Sequence, residues 1–310
     1  SLRNKLLKLP DFCEVYPAHG AGSLCGRAMG AKRTSTIGYE RKYNYALQFD
    51  DRQEFVKALT DDMPAAPDHF GVCTRINVEG PTLTSELPAP EPMPPLEFQE
   101  RARREDTVVL DVRSYGTFGG QHVPGSQHIY FRGNFPTFAG WILPYDKDIL
   151  LVTDDMAPVD EVCTWLRRVG LDRVLGTLAG GMQQWANAGL PIGHVTQVAA
   201  EALQRRLDGG GAVQLVDVRS PTEFEGGHIE GAMNIPAPDV RTRYKELRKD
   251  LPTLVTCNTG NRSSLATSLL IARGFENVMN VAGGMTGYYA AGNPGSCALC
   301  VAPHVPRFPR

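Results

Sequence analysis

Two stretches of the chain alternate short apolar runs with helical periodicity, and they do so in the same order. Residues 108–129, VVLDVRSYGTFGGQHVPGSQHI, are matched by residues 214–235, QLVDVRSPTEFEGGHIEGAMNI. Residues 150–185, LLVTDDMAPVDEVCTWLRRVGLDRVLGTLAGGMQQW, are matched by residues 253–288, TLVTCNTGNRSSLATSLLIARGFENVMNVAGGMTGY. The β-branched runs VVLDV and LLVT, or QLVDV and TLVT, read as buried strands, and the segments between them repeat with the period of a helix. Strands alternating with helices predict a parallel sheet flanked by helices, so the fold class is α/β, with two domains built to one plan. On the helix after the second LVT run, Leu265, Leu269 and Leu270 share a face, as Val162, Cys163 and Leu166 do in the first copy. These are expected core contacts.

Outside the repeats the pattern is weaker. Residues 81–95, PTLTSELPAPEPMPP, have the composition of an extended linker. They separate residues 1–80 from repeat domains at 96–194 and 195–294. The N-terminal region holds one amphipathic segment, from Asp50 to Leu59, with Phe55, Val56 and Leu59 on one face. Eighty residues are few for an independent core. Residues 295–310, proline-rich and without periodicity, read as a tail.

Composition narrows the classes of function. In 310 residues, 42% hydrophobic, 32 Lys+Arg face 34 Asp+Glu, and no basic block stands out. Neither a nucleic-acid footprint nor an apolar run long enough to cross a membrane is visible, so small solutes or protein partners are expected, in the cytoplasm. Seven cysteines, an odd number spread along the chain, do not form a disulfide framework.

One of them stands where chemistry is easiest to support. Cys257 closes the third strand-like run of the second repeat, and Asn258-Thr259-Gly260-Asn261-Arg262-Ser263 lead into the next helix. Main-chain N–H groups of a tight glycine loop and of a first helical turn point inward and stabilise an anion. A helix start contributes about 0.3–1 kcal/mol and each charge-assisted hydrogen bond about 1.5–3 kcal/mol, enough to hold a thiolate without a histidine base. Arg262 would then grip the oxyanion end of a donor such as thiosulfate. The alternative is an inert buried thiol.

At these residues, DVRSPTEFEGGHIEGAMNIP, the CNTGNR loop and VAGGM, the second repeat resembles the rhodanese family. The resemblance implies a sulfurtransferase in which Cys257 carries sulfane sulfur as a persulfide and passes it to cyanide, a thiol or another protein. Arg262 matches the arginine that closes the loop, while Asp217, Arg219, Glu223 and His228 match scaffold positions of the family. Related cysteine phosphatases place five residues between cysteine and arginine and commonly a histidine before the cysteine. Here there are four, after Thr256, which suits a sulfur atom better than a phosphate. The first repeat is expected to be another rhodanese-like domain, in tandem with the second repeat; its corresponding positions are Asp154 and Val159, so it is expected to be silent, and the aromatic segment Tyr130–Phe135 is either cleft wall or core.

The N-terminal run LPDFCEVYPAHGAGSLCG, with STIGYER beyond it, is similar to the C-terminal portion of metallo-β-lactamase-fold proteins of the persulfide dioxygenase group. That resemblance implies iron or zinc held by an H-x-H-x-D-H motif. The seven histidines, at 19, 69, 122, 128, 194, 228 and 304, include no pair one residue apart, so no metal or other cofactor is expected in this chain; His19 is a vestigial second-metal position. The metal core is expected to be missing through truncation or loss. Cys13 and Cys25 share the segment, Cys25 in a Gly-rich loop. Cys297-x-x-Cys300 with His304 reads as half of a zinc site, a redox pair, or neither.

Three readings follow: a sulfurtransferase using thiosulfate or glutathione persulfide with a thiol acceptor; a persulfide-relay or docking module; or a remnant of a metal-dependent dioxygenase or hydrolase.

Overall fold

A computed structural model describes residues 2–17, 34–61, 67–154, 157–210, 212–293 and 295. The chain divides into two compact units, residues 1–66 and 67–310.

In the first unit, β1 (Glu14–Val15) pairs antiparallel with β2 (Ser35–Thr36), followed by α1 (Ile37–Tyr43) and α2 (Arg52–Thr60). Helix starts are satisfied by side chains: Thr36 Oγ1 accepts from the Tyr39 N–H, and Asp51 accepts from the N–H groups of Gln53 and Glu54. Arg41 ties α1 to Asp11 and to the Leu7 carbonyl. Among the described residues of this unit only Ile37 is a buried hydrophobic. The amphipathic segment is a helix as expected, but none of its residues is buried and Val56 is 47% exposed.

The second unit begins earlier than the proline-rich run suggests. Helix α3 (His69–Glu79) belongs to it, although the sequence places residues 67–80 in the N-terminal region. Its His69 lies so close to Gly140 that a β-carbon there would sit 2.7 Å from the ring Nδ1, and Val72 and Ile76 pack on Gly170. Apolar contact outweighs the composition boundary. Nor is the expected linker 81–95 wholly extended spacer: β3 (Glu91–Met93) is an edge strand, which tolerates Pro92, and Pro95 starts α4 (Pro95–Ala102) at a position that needs no N–H donor.

Beyond this point the two repeats build two sheets of the same design. The first comprises β3, β4 (Thr107–Asp111), β5 (Gln127–His128), β6 (Asp148–Val152) and β7 (Val174–Leu178), in the order β3-β7-β6-β4-β5. Its helices are α4, α5 (Tyr115–Gly120), α6 (Phe135–Ile142), α7 (Val159–Arg167) and α8 (Gly181–Asn187). The second comprises β8 (Thr196–Val198), β9 (Gln214–Asp217), β10 (Met233–Asn234), β11 (Thr253–Thr256) and β12 (Val278–Val281), in the order β8-β12-β11-β9-β10. Its helices are α9 (Ala200–Asp208), α10 (Pro221–Glu225), α11 (Val240–Arg243), α12 (Asn261–Ala272) and α13 (Gly284–Ala290). The strand pairings in both sheets are parallel.

The two repeats share a core. One apolar cluster runs from Val108, Leu110 and Ile129 of the first repeat to Val255, Leu265, Ala266 and Leu270 of the second. Helix α12 occupies its centre, with Ser263 to Leu270 all buried. The face carrying Leu265, Leu269 and Leu270 was legible as periodicity; the opposite face is buried too, because Ser264, Ala266, Thr267 and Ser268 are small enough for the first repeat to approach. There the His128 N–H donates to Ser268 Oγ at 3.0 Å. In α7, by contrast, Val162, Cys163 and Leu166 are buried on one side only, and burial pushes the Cys163 thiol up.

Candidate active site

The chain leaves β11 at Thr256 and enters α12 at Asn261, and the four residues between form a tight loop around the Cys257 sulfur. Cys257 is 1% exposed. Its Sγ accepts the Gly260 N–H at 3.1 Å and the Ser263 hydroxyl at 3.3 Å. Gly260 is the residue before the helix and has φ +102, a backbone conformation that L side chains rarely adopt. That φ turns its N–H inward. Asn258 and Thr259 are exposed at the crest of the loop.

The loop is pinned from outside by the glycine pair at the start of α13. The Met285 N–H donates to the Cys257 carbonyl at 2.7 Å and the Thr286 N–H to the Asn258 carbonyl at 2.9 Å. A β-carbon on Gly284 would stand 2.3 Å from the Cys257 carbonyl oxygen, so only glycine lets the two segments meet. On the far side, Asn280 Nδ2 donates to the Gly260 carbonyl at 3.2 Å and to Gln197 Oε1 at 2.8 Å.

Arg262 is not the free cation that the sequence suggests. Both terminal nitrogens donate to the Glu223 carboxylate at 2.7 Å, a bidentate pair. The Arg262 hydrogen bonds hold the Glu223 carboxyl down at about 2, and Glu223 in turn raises Arg262. Glu223 also closes a capping box on α10, accepting from the Ser220 N–H at 3.0 Å while Ser220 Oγ accepts the Glu223 N–H at 3.3 Å.

Asp217, Arg219 and His228 lie elsewhere in the hydrogen-bond scheme. Arg219 donates through Nε and Nη2 to Asp217, and through Nη2 to the Gly227 carbonyl at 2.7 Å. His228 stacks on Phe224, with ring centroids 3.8 Å apart. The first repeat reproduces the arrangement: Arg113 donates to Asp111 and to the Gln121 carbonyl, and His122 stacks on Phe118. A pattern present around both Cys257 and Asp154 serves the turn after the strand, whatever occupies the loop.

The first repeat also contributes to the surroundings of the loop. Tyr115, at the start of α5, lies against Gly260. The segment Tyr130–Phe135 serves both of its expected roles. Phe131 and Phe135 are buried in the shared core, while Tyr130, Arg132, Gly133 and Asn134 join Glu223, Asn261, Arg262 and Leu265 around a cleft of about 510 Å³.

Among the described residues no group of three or more His, Cys, Asp or Glu converges as metal ligands, so the iron or zinc implied by the N-terminal resemblance has no donor set there. His19, Cys25, Cys297, Cys300 and His304 lie outside the described residues. Cys13 and Cys73 are partly exposed free thiols. No described helix is long and apolar enough to cross a membrane.

Parallel sheets carrying a cysteine at a strand end, under main-chain and hydroxyl donors, define an α/β protein with a loop-cradled sulfur. The chain belongs to the rhodanese-like domain family, whose model matches residues 94–188 and 199–291. It is 45% identical over 71 residues to the uncharacterized protein YqhL of Bacillus subtilis, covering 23% of this chain and 56% of that protein. It thus spans little more than half the length of that relative. It is 33% identical over 100 residues to a sulfurtransferase of Allochromatium vinosum, covering 32% of this chain and 94% of that one. With thiosulfate sulfurtransferase GlpE of Pseudomonas putida it shares 39% over 84 residues, 27% of this chain and 74% of that protein. Among solved structures, a metallo-beta-lactamase from Staphylococcus aureus matches with TM-score 0.43 and 32% identity, over 57% of this chain and 47% of that one. A rhodanese-related protein from Thermoplasma volcanium matches with TM-score 0.31 and 32% identity, over 33% of this chain and 97% of that one.

Sequence reasoning missed Tyr115, Asn280 and the pairing of Glu223 with Arg262. Only the last left a signal: where the second repeat has Glu223 and Arg262, the first has Thr117 and Val159.

Proposed function

We propose that this chain is a sulfurtransferase whose Cys257 alternates between thiolate and persulfide. The observation that carries the reading is the pair of donors, Gly260 N–H and Ser263 Oγ–H, on Cys257 Sγ. Hydrogen bonds to a sulfur anion favour the nucleophilic form and hold a terminal sulfur once it is attached. With thiosulfate as donor, the Cys257 thiolate attacks the outer sulfur, the S–S bond breaks, and sulfite departs with the bonding pair. A cyanide or thiolate acceptor then attacks the terminal sulfur, leaves as thiocyanate or an organic persulfide, and returns the Cys257 thiolate. Glutathione persulfide is the organic donor we propose alongside thiosulfate.

A second reading is persulfide relay: the cleft of about 510 Å³, lined by Asn261 and Arg262 of the first turn of α12 and not by Cys257 itself, exceeds what thiosulfate fills and leaves room for a larger persulfide next to the helix start. A relay module takes sulfur once from a larger persulfide and turns over free thiosulfate and cyanide poorly.

Intact mass spectrometry before and after thiosulfate, then after cyanide, tests the first reading. The expected result is a gain of one sulfur that cyanide removes and that Cys257→Ser never shows. Turnover in Cys257→Ser would overturn it, and stoichiometric loading without steady thiocyanate production would favour relay.

A further inference from the structure

The two repeats make an internal comparison of a loop with a cysteine and a loop without one. What both retain serves the fold: the Asp111–Arg113 and Asp217–Arg219 pairs, the Phe118–His122 and Phe224–His228 stacks, and the left-handed glycines 180–181 and 283–284. Every position from 257 to 264 differs between the repeats, and among the changes five fall on the sulfur, its donors and the ion pair. Cys257 is replaced by Asp154, Gly260 by Ala157, Arg262 by Val159, Ser263 by Asp160 and Glu223 by Thr117. Three of those five are the sulfur and its donors. The other two are the bidentate pair, and they disappear together.

Thr117 shows that the helix cap does not require Glu223. In α5 Ser114 still caps the helix, accepting the Thr117 N–H at 3.2 Å, and no carboxylate is needed. The serine cap alone therefore does not require a carboxylate at Glu223, which in α10 accepts both the Ser220 N–H and the Arg262 guanidinium. Its carboxylate reaches across to the first turn of α12, whose backbone also carries Gly260 and Ser263.

We infer that Glu223 is a positioning residue for the cysteine loop: through Arg262 it fixes the first turn of α12, so that the Gly260 N–H and Ser263 Oγ stay aimed at Cys257 Sγ. The kinetic arm of the test rests on the sulfur-transfer reading; the alkylation arm rests on geometry alone.

The full chain is compared as wild type, Glu223→Gln, Arg262→Lys, the double variant, and Ser220→Ala. Glutamine keeps an oxygen for the Ser220 N–H and loses the ion pair. The saturating rate of sulfur loading from thiosulfate, read by intact mass, is expected to fall about tenfold in Glu223→Gln, with the half-saturating concentration changed by less than about threefold. The double variant is expected to lose no more than Arg262→Lys alone, because the two act as one unit. Alkylation of Cys257 by iodoacetamide, resolved by peptide mapping, is expected to quicken by about fivefold as the loop loosens around a buried thiol. Ser220→Ala removes the cap and the Ser220 Oγ hydrogen bond to Glu223 at 2.9 Å but leaves the Ser220 N–H bond and the bidentate Arg262 pair, and is expected to leave both rates unchanged.

If the wild type loads no sulfur, the function proposal fails and alkylation decides this one. Unchanged alkylation in Glu223→Gln, losses that multiply in the double variant, or a Ser220→Ala variant that reproduces the defect would overturn it.

Discussion

Tyr115 of the first repeat lies on Gly260 of the second: a β-carbon added at Gly260 would come within 3.0 Å of Tyr115 Cε1 and 3.1 Å of Cζ. A ring from the domain without the cysteine thus forms part of the wall of the loop that has one.

Gly260→Ala separates the two constraints at this residue. The left-handed φ of +102 strains any L side chain, at about 1–3 kcal/mol, and the new methyl meets Tyr115. Sulfur loading of Cys257 is expected to fall by at least about tenfold, and the thermal midpoint to drop. Adding Tyr115→Ala removes the collision and leaves the backbone strain, so the double variant is expected to stay impaired. Recovery of loading to the wild-type rate would show that crowding alone was responsible.

Restoring the chemical residues to the first repeat is not expected to restore chemistry. Asp154→Cys with Val159→Arg supplies a thiol and a guanidinium, but Ala157 stands where Gly260 turns its N–H inward and Thr117 stands where Glu223 holds the arginine. In a Cys257→Ser background this variant is expected to gain no sulfur from thiosulfate. A cyanide-labile gain in mass mapped to the peptide around position 154 would overturn the expectation.

Acid is expected to weaken the shared core through histidine. His128, fully buried on β5 against α12, is held down at about 4 by desolvation, and burial lowers His122 as well. The unfolded chain binds these protons near pH 6.5 while the native state does not. Stability is therefore complete above that pH and is lost as pH falls toward about 4, by an amount for His128 on the order of 3 kcal/mol. Glu223 titrates lower: its carboxylate is charged throughout this window and loses its contribution only as pH falls toward about 2. Urea unfolding at pH 7.5 and pH 5 is expected to show the loss in wild type and a shallower one in His128→Gln. Equal slopes would contradict it.

The repeat, the α/β class and the membership of both repeats in one family were legible in the chain, because apolar periodicity and glycine-marked turns are local. The Cys257 loop was legible for the same reason, since its strand, glycine and helix start are contiguous. The N-terminal boundary was not. Residues 67–80 look like part of the first region by composition, yet α3 joins the second unit through contacts of His69, Val72 and Ile76 with Gly140 and Gly170, distant in sequence. Nor did composition show that Glu91–Met93, within a proline-rich run, is an edge strand.

Within the site, sequence spacing named Arg262 as a grip for substrate, and the fold gave its two terminal nitrogens to Glu223. It also brought Tyr115 and Asn280 to the loop from other elements. Spacing along a chain determines which groups a loop and helix can present. Which partner each group meets depends on how strands and helices pack, and that was decided when α12 was buried on both faces between its own sheet and the first repeat.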